Sequence, residues 1–214
     1  MKCSLYVLIA FILFGCAKEE EVNNTPEKVG ISRVVVFPTI ETNGNRLVIL
    51  NQGATYTEAG ATAKLGEETA QYTTEGTVNT ATPGVYDLTY TAANPDGFTA
   101  SDFRTVVVIG NDVTANDLSG TYLRAATGVT STWTKTAKGV YTVENPGGAG
   151  VGVGLTAIAV NYTGNKIAIP QQISPDFGLV SSGSEDYNPT PPATIKYSLF
   201  AGGYGTALRT FVKQ

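Results

Sequence analysis

The sequence predicts an all-β protein of two antiparallel domains, a two-sheet sandwich followed by a small barrel or curled sandwich. Three observations predict it. Threonine, glycine, valine and tyrosine are plentiful and leucine is sparse. Short β-branched runs are broken by Gly, Pro and Asn, the punctuation of strands and turns. No long stretch repeats apolar residues at the 3.6-residue spacing of a helix.

The chain opens on a different kind of segment. Residues 1–15 place Lys2 ahead of an apolar run, Leu5 to Phe14, that ends in Gly15. That is the layout of an export signal, and the run is about half the ~20 residues a membrane-spanning helix needs. Leu13, Gly15 and Cys16 resemble the bacterial lipoprotein signal, although a small residue is more usual where Phe14 stands. The resemblance implies that the Cys16 thiol carries diacylglycerol and that cleavage leaves Cys16 as the first mature residue. Each buried acyl CH₂ adds ~0.8 kcal/mol of membrane affinity, so two or three chains anchor stably. Lys18, Glu19 and Glu20 resemble the export signal of Bacteroidota lipoproteins, which implies the outer face of the outer membrane; the plainer alternative is a solvated charge run. Residues 16–30 are polar and read as a flexible tether of ~3.3 Å per extended residue.

Residues 31–110 make the first domain. Arg33 to Phe37 reads as an opening strand stopped by Pro38, and Arg46 to Leu50 as a second. Ala61 to Leu65 is short and suits an edge; Gln71 to Val78 alternates weakly. In TPGVYDLTYTAANPDG, Tyr86, Leu88 and Tyr90 share one strand face and are expected inside, with Val85, Asp87 and Thr89 opposite. Tyr86 can bury its ring and send its hydroxyl to a loop carbonyl. Asp96-Gly97 suits a hairpin turn that needs positive φ. Arg104 to Ile109 closes the domain. About seven short strands separated by turns fit a sandwich of immunoglobulin type.

Three stretches carry a family resemblance: Tyr56, Glu58, Gly60 and Ala63; Thr82, Pro83, Gly84, Tyr86 and Tyr90; Asp96, Gly97, Arg104, Thr105 and Val106. They resemble a bacterial Ig-like domain of Bacteroidota surface lipoproteins. The resemblance implies an Ig-like β-sandwich, often used as a spacer.

Residues 111–116, NDVTAN, read as a polar hinge, and residues 117–214 as an antiparallel second domain. After DLSGTYLR, strands are expected at Ser131–Thr136, Gly139–Glu144, Gly154–Tyr162, Lys166–Ile169, Thr194–Phe200 and Leu208–Lys213. A small barrel or curled sandwich removes or covers the edges such strands would expose. DLSGTY, WTKTAKGVYTVEN, IPQQ and RTFVK resemble a domain of unknown function that follows the Ig-like module in the same lipoproteins.

Composition excludes much chemistry. There is no histidine, so the commonest general base and zinc ligand is missing. Cys3 leaves with the signal and Cys16 takes lipid, which leaves no disulfide and no cysteine metal site. Net charge is −4 without a basic patch, which argues against nucleic acid. Asp176, Glu185 and Asp186 are the candidates for a two-carboxylate hydrolase, but SSGSEDYNP reads as a solvated polar loop. GGAGVGVG (147–154) has a nucleotide-fingerprint spacing without the strand–turn–helix setting and reads as a mobile or tightly curved hairpin. Asn94, Asp96, Asn111, Asp112, Asn116 and Asp117 offer oxygens for calcium without EF-hand spacing, and turn chemistry explains them.

The remaining candidates are aromatic, since sugars lay their C–H faces on flat rings. Trp133 shares a strand face with Ser131 and Lys135 and is either a platform or a core anchor. Tyr187 and Tyr204 fall in loop-like segments and either meet ligand or pack their loops down. The expectation is a noncatalytic outer-membrane lipoprotein at the cell surface, without cofactor or metal. Trp133, Tyr187 and Tyr204 would bind glycan for a polysaccharide-uptake system. The alternative is an adhesion or structural protein that binds a host or cell-envelope protein.

Overall fold

The computed structural model describes residues 35–150 and 154–214, which are all β-strand, turn and loop. The N-terminal sandwich has two sheets. One orders β1 (Pro38–Thr42), β3 (Ala61–Leu65) and β4 (Glu68–Thr69) as β1-β3-β4. The other orders β2 (Leu47–Asn51), β5 (Tyr72–Glu75), β6 (Gly84–Ala93) and β7 (Thr99–Ile109) as β2-β7-β6-β5, with β2 parallel to β7. The opening strand begins at Pro38 where the sequence suggested it would end. Proline is tolerated as the first residue of a strand, and it is PTIET that pairs with β3. Ala61–Leu65 is accordingly no edge strand, since it lies between β1 and β4.

Alternation along β6 points Leu88 and Tyr90 into the sandwich, where they pack with Ala61, Ile40 and Tyr72. Tyr86 is only half-buried, and its hydroxyl donates to the Thr82 carbonyl at 2.8 Å. The motif residues meet as a polar lock. Buried Arg104 pairs with Glu58 at 3.1 Å and donates to the carbonyls of Asn45 (2.7 Å) and Asn43 (2.5 Å). Glu58 also accepts from Tyr90 at 2.7 Å, from the Gly60 amide at 2.7 Å and from Tyr56.

The C-terminal domain is one curled half-barrel sheet. Its strands are β8 (Gly120–Arg124), β9 (Val129–Ala137), β10 (Val140–Glu144), β11 (Thr156–Thr163), β12 (Lys166–Ala168), β13 (Gln172–Ser174), β14 (Gly178–Asn188), β15 (Thr194–Phe200) and β16 (Leu208–Lys213). They order as β12-β11-β10-β9-β8-β16-β15-β14-β13, every neighbour antiparallel. DLSGTY locks the first strand. Tyr122 donates to the Leu118 carbonyl at 2.9 Å, and the Leu118 amide donates to Tyr141 at 3.3 Å.

SSGSEDYN is strand, not loop. Its register shifts between Gly183 and Asp186, and Ser184 has φ 56°. This bulge sets two residues against one, so Val180 and Tyr187 both turn inward despite their odd spacing. The outer strands are sewn by side chains. The Gln172 carboxamide accepts from the Ile158 amide and donates to the Ile158 carbonyl, both at 2.8 Å, as a strand backbone would. The Ser182 amide reaches the Ile169 carbonyl at 3.0 Å.

The two domains share strand β7. Val106 and Val108 lie on the sandwich-interior face with Leu88, by register with β6. Val107 and Ile109 point the other way and pack with Val113 and Val160, flanked by Val85 and Tyr162. The 111–116 segment, which reads as a hinge, carries several contacts. The Gly110 amide donates to the Tyr162 carbonyl at 2.7 Å, and Asp112 accepts from Thr163 (2.9 Å) and the Gly164 amide (2.7 Å). Lys138 reaches Asn111 at 3.1 Å.

Candidate functional site

One end of the half-barrel gathers the loops after β8, β10, β13 and β15. In the β10–β11 loop the Asn145 side chain donates to the carbonyls of Thr130 and Ala149 and accepts from the Ala149 amide, at 3.0 to 3.2 Å. This draws Gly147 and Gly148 down onto the barrel mouth. A Cβ on Gly147 would sit 2.0 Å from the Tyr204 ring, and one on Gly148 would sit 2.8 Å from Arg124. Only glycine permits so close an approach. Residues 151–153 of this glycine-rich run lie outside the described residues.

Strand alternation aims two cations inward at this mouth. Arg124 shares a face with Tyr122 and donates to the carbonyls of Gly147 (3.1 Å) and Gly148 (3.4 Å). Arg209 shares a face with Phe211 and is only 4 % exposed. It donates to the Ala207 carbonyl at 2.9 Å and to the Tyr204 carbonyl. Its guanidinium carbon lies 5.9 Å from the Tyr204 ring centre. Burial and the Arg124 charge hold the Arg209 pKa below its usual value. The Arg209 Nε and the Tyr204 hydroxyl are both buried without a hydrogen-bond partner. Beside them Tyr197 donates to the Pro146 carbonyl at 2.6 Å and stacks on Phe211 at 5.4 Å.

Outside this polar centre lies an open cleft of about 260 Å³, lined by Ala149, Phe177, Gly202, Gly203 and Tyr204. Phe177 and Tyr204 meet edge-to-face, ring centres 5.7 Å apart. The cleft has an aromatic wall of two rings inclined at 63°, and Arg209 lies on the far side of Tyr204.

The aromatic residues singled out in the sequence do not form one site. Trp133 is 2 % exposed and wedged between Tyr122 (6.2 Å) and Tyr141 (5.9 Å), so it is a core anchor and no platform. Its polar neighbours misled because they are satisfied inside: Ser131 donates to the Glu144 carbonyl at 3.1 Å and Lys135 to the Asn116 carbonyl at 2.6 Å. Tyr187 is a strand residue, half-buried against the core and opposite Ile195. It sits toward the other end of β14 from the loop that faces Tyr204. Only Tyr204 lines the cleft. Cys16, Lys18, Glu19 and Glu20 lie outside the described residues.

The acids scatter. Asp186 pairs outward with Lys196 at 3.7 Å, Glu185 accepts from Ser182 at 2.6 Å, and Asp176 lies in the β13–β14 turn. Glu185 lines a cleft of about 270 Å³ between the domains, to which Asp87 also contributes, but Asp87 is held by Thr105 at 2.6 Å. The candidate calcium oxygens serve turns: Asn94 accepts from the amides of Asp96 and Phe98, and Asp117 from that of Ser119. Among the described residues no three acids converge as a metal site, and no helix is long and apolar enough to cross a membrane. Sequence reasoning missed Arg124, Arg209 and Phe177. The available signal was Arg209 at two-residue spacing from Phe211, a charge on an inward strand face.

Comparison with known proteins bears on the N-terminal half. No curated protein matches the chain. Among solved structures, a similar one is the crystal structure of the lipoprotein BT2262 from Bacteroides thetaiotaomicron. It is 24 % identical, with a TM-score of 0.37, over 83 % of this chain and 100 % of that one. Residues 40–108 match the family model described as bacterial surface protein, Ig-like domain. The sandwich built around the Glu58–Arg104 lock is therefore an Ig-like domain of the bacterial surface-protein type.

Proposed function

We propose that the chain is an outer-membrane lipoprotein displayed at the cell surface through acylated Cys16, and that it captures glycan without catalysis for a polysaccharide-uptake system. The observation that carries the reading is the cleft walled by Phe177 and Tyr204. Aromatic rings beside loop carbonyls suit the apolar face and the hydroxyls of a sugar. The surface-protein family matched by residues 40–108 supports the location, as do the residues around Cys16. The dispersal of Asp176, Glu185 and Asp186 supports capture over hydrolysis, because paired carboxyl groups must face each other ~5–9.5 Å apart.

The test has two arms. Fatty-acid labelling is expected to tag the native chain and to miss Cys16→Ala; an unlabelled native chain free in the periplasm sinks the anchor. A polysaccharide panel is expected to give a ligand that Phe177→Ala and Tyr204→Ala weaken about tenfold or more, given 1–3 kcal/mol per stacking ring as for bases. A blank panel for the native protein sinks glycan capture.

The alternative, adhesion to a host or cell-envelope protein, has its own observation. Ile173, Leu179, Phe200 and Leu208 stand on the outer face of β13–β16 at 42 % to 56 % exposure. Exposed apolar clusters mark protein contacts. Leu179→Asp with Leu208→Asp is expected to abolish cell adhesion on that reading and to spare glycan binding on the first.

A further inference from the structure

We propose that Arg124 and Arg209 seat the carboxylate of a uronic-acid glycan whose sugar ring rests on the Phe177–Tyr204 wall. This builds on the glycan reading and names the class of sugar. Two arginines reach the mouth, Arg124 onto the Gly147 and Gly148 carbonyls and Arg209 onto that of Tyr204, and no carboxylate of the described residues pairs with either; the ion pairs among the described residues are Arg46–Asp102, Arg104–Glu58 and Lys196–Asp186. Among the described residues both arginines hydrogen-bond to backbone carbonyls, which carry no net charge. Arg209 is withdrawn from water without a counter-charge, which is costly for a cation. A bound anion would add the counter-charge that the backbone carbonyls and the Tyr204 ring do not supply.

The donors match a carboxylate. A guanidinium offers five N–H groups in a rigid fork, and Nε with the neighbouring Nη is the edge that grips a carboxylate in two parallel bonds. On Arg209 the Nε is buried and unused, and the adjacent Nη2 holds only the Tyr204 carbonyl. Tyr204 is thus the element between cleft and cations. Its hydroxyl has no partner to lose. Gly203 and Gly205 on either side both have positive φ, 81° and 65°, a tight turn that presents the ring between the cleft and the cations. For the fork to grip a carboxylate in two bonds, the Tyr204 carbonyl has to give up Nη2.

The experiment is titration of the full-length protein with trigalacturonate and with its fully methyl-esterified form, in which a neutral ester replaces each carboxylate on the same sugar backbone. The acid is expected to bind at least about tenfold more tightly, the scale of a hydrogen bond to a charged group, and to weaken with added salt more than the ester. Arg124→Gln and Arg209→Gln are expected to bring the acid-to-ester ratio toward one. Arg124 is only half-buried, so Arg124→Gln carries the test if Arg209→Gln fails to fold by circular dichroism. Equal affinity for acid and ester, a ratio that survives Arg124→Gln, or dextran sulfate binding as tightly as the uronate overturns the seat. Binding of neutral polysaccharides alone overturns the seat and leaves glycan capture standing. No binding to any polysaccharide overturns both.

Discussion

Trp133 shows how much one side chain can hold. It packs between two tyrosines at the centre of the half-barrel, so Trp133→Ala is expected to cost ~3–5 kcal/mol of stability, read as a lower midpoint in chemical denaturation. Its indole N–H is buried without a partner. Trp133→Phe deletes that orphan donor with part of the ring and is expected to cost clearly less. In the sandwich, Asp102 is the residue to follow with pH. Burial alone would raise its pKa, but Arg46 (2.7 Å) and the amides of Thr42 (2.8 Å) and Phe103 (2.9 Å) hold it down to about 2. A depressed carboxylate stabilises above its ordinary value, 3.8, and loses that contribution as pH falls toward 2. Glu58 acts in the same sense: burial opposes its ionisation, and bonds from Tyr56, Tyr90 and Gly60 with the Arg104 charge still hold it low. Acid denaturation is therefore expected to steepen below pH 4, and Asp102→Asn is expected to flatten it. Arg104→Met leaves Glu58 without its cation and is expected to cost about 3 kcal/mol. The sequence marked Glu58 and Arg104 as motif residues of separate stretches, and their pairing emerged only in the fold. It did not show that Ser131 and Lys135 are satisfied indoors, because their partners are backbone carbonyls that a single strand does not reveal.

At the scale of the element, Gln172 does a backbone's work. Its carboxamide fills both hydrogen-bonding positions of Ile158, where the sheet would otherwise end. Gln172→Ala is expected to cost ~1–3 kcal/mol for the exposed or orphaned groups. The Ile158 amide is expected to exchange with deuterium faster, while Val143 in the neighbouring strand stays protected. Unchanged exchange at Ile158 would mean that the curl closes without this residue. The strands that the sequence made legible are those with an intact two-residue period: Ala61–Leu65, Thr194–Phe200 and Leu208–Lys213 coincide with β3, β15 and β16. β14 was hidden because its bulge changes parity midway, so Val180 and Tyr187 fall out of step. The opening strand was misplaced for a different reason. Arg33 to Phe37 has stronger β propensity than PTIET, but pairing with β3 decides the matter, and propensity yields to partners.

At the scale of the molecule, the run VVVI of β7 was legible as a strand, and its meaning lay in its continuity. Alternation is the mark of one wet face; an unbroken run is the mark of two dry ones. Val107 and Ile109 supply the second dry face, against Val160. Residues 36–214 are accordingly expected to melt in a single calorimetric transition. Val160→Asp buries an unpaired charge at the joint and is expected to lower the midpoint and split the transition. Two independent melts in the native protein would contradict this. Of the Arg124–Arg209 mouth the sequence offered only the spacing of Arg209 from Phe211, since the want of a counter-charge is a property of space. The doubly dry strand reaches beyond stability. A module meant for free exchange between proteins keeps a self-contained wrapper. This sandwich has lent part of its wrapper to its neighbour, so grafting it alone onto another chain would bring valine and isoleucine into water, and the pair, not either half, is the unit that heredity can shuffle.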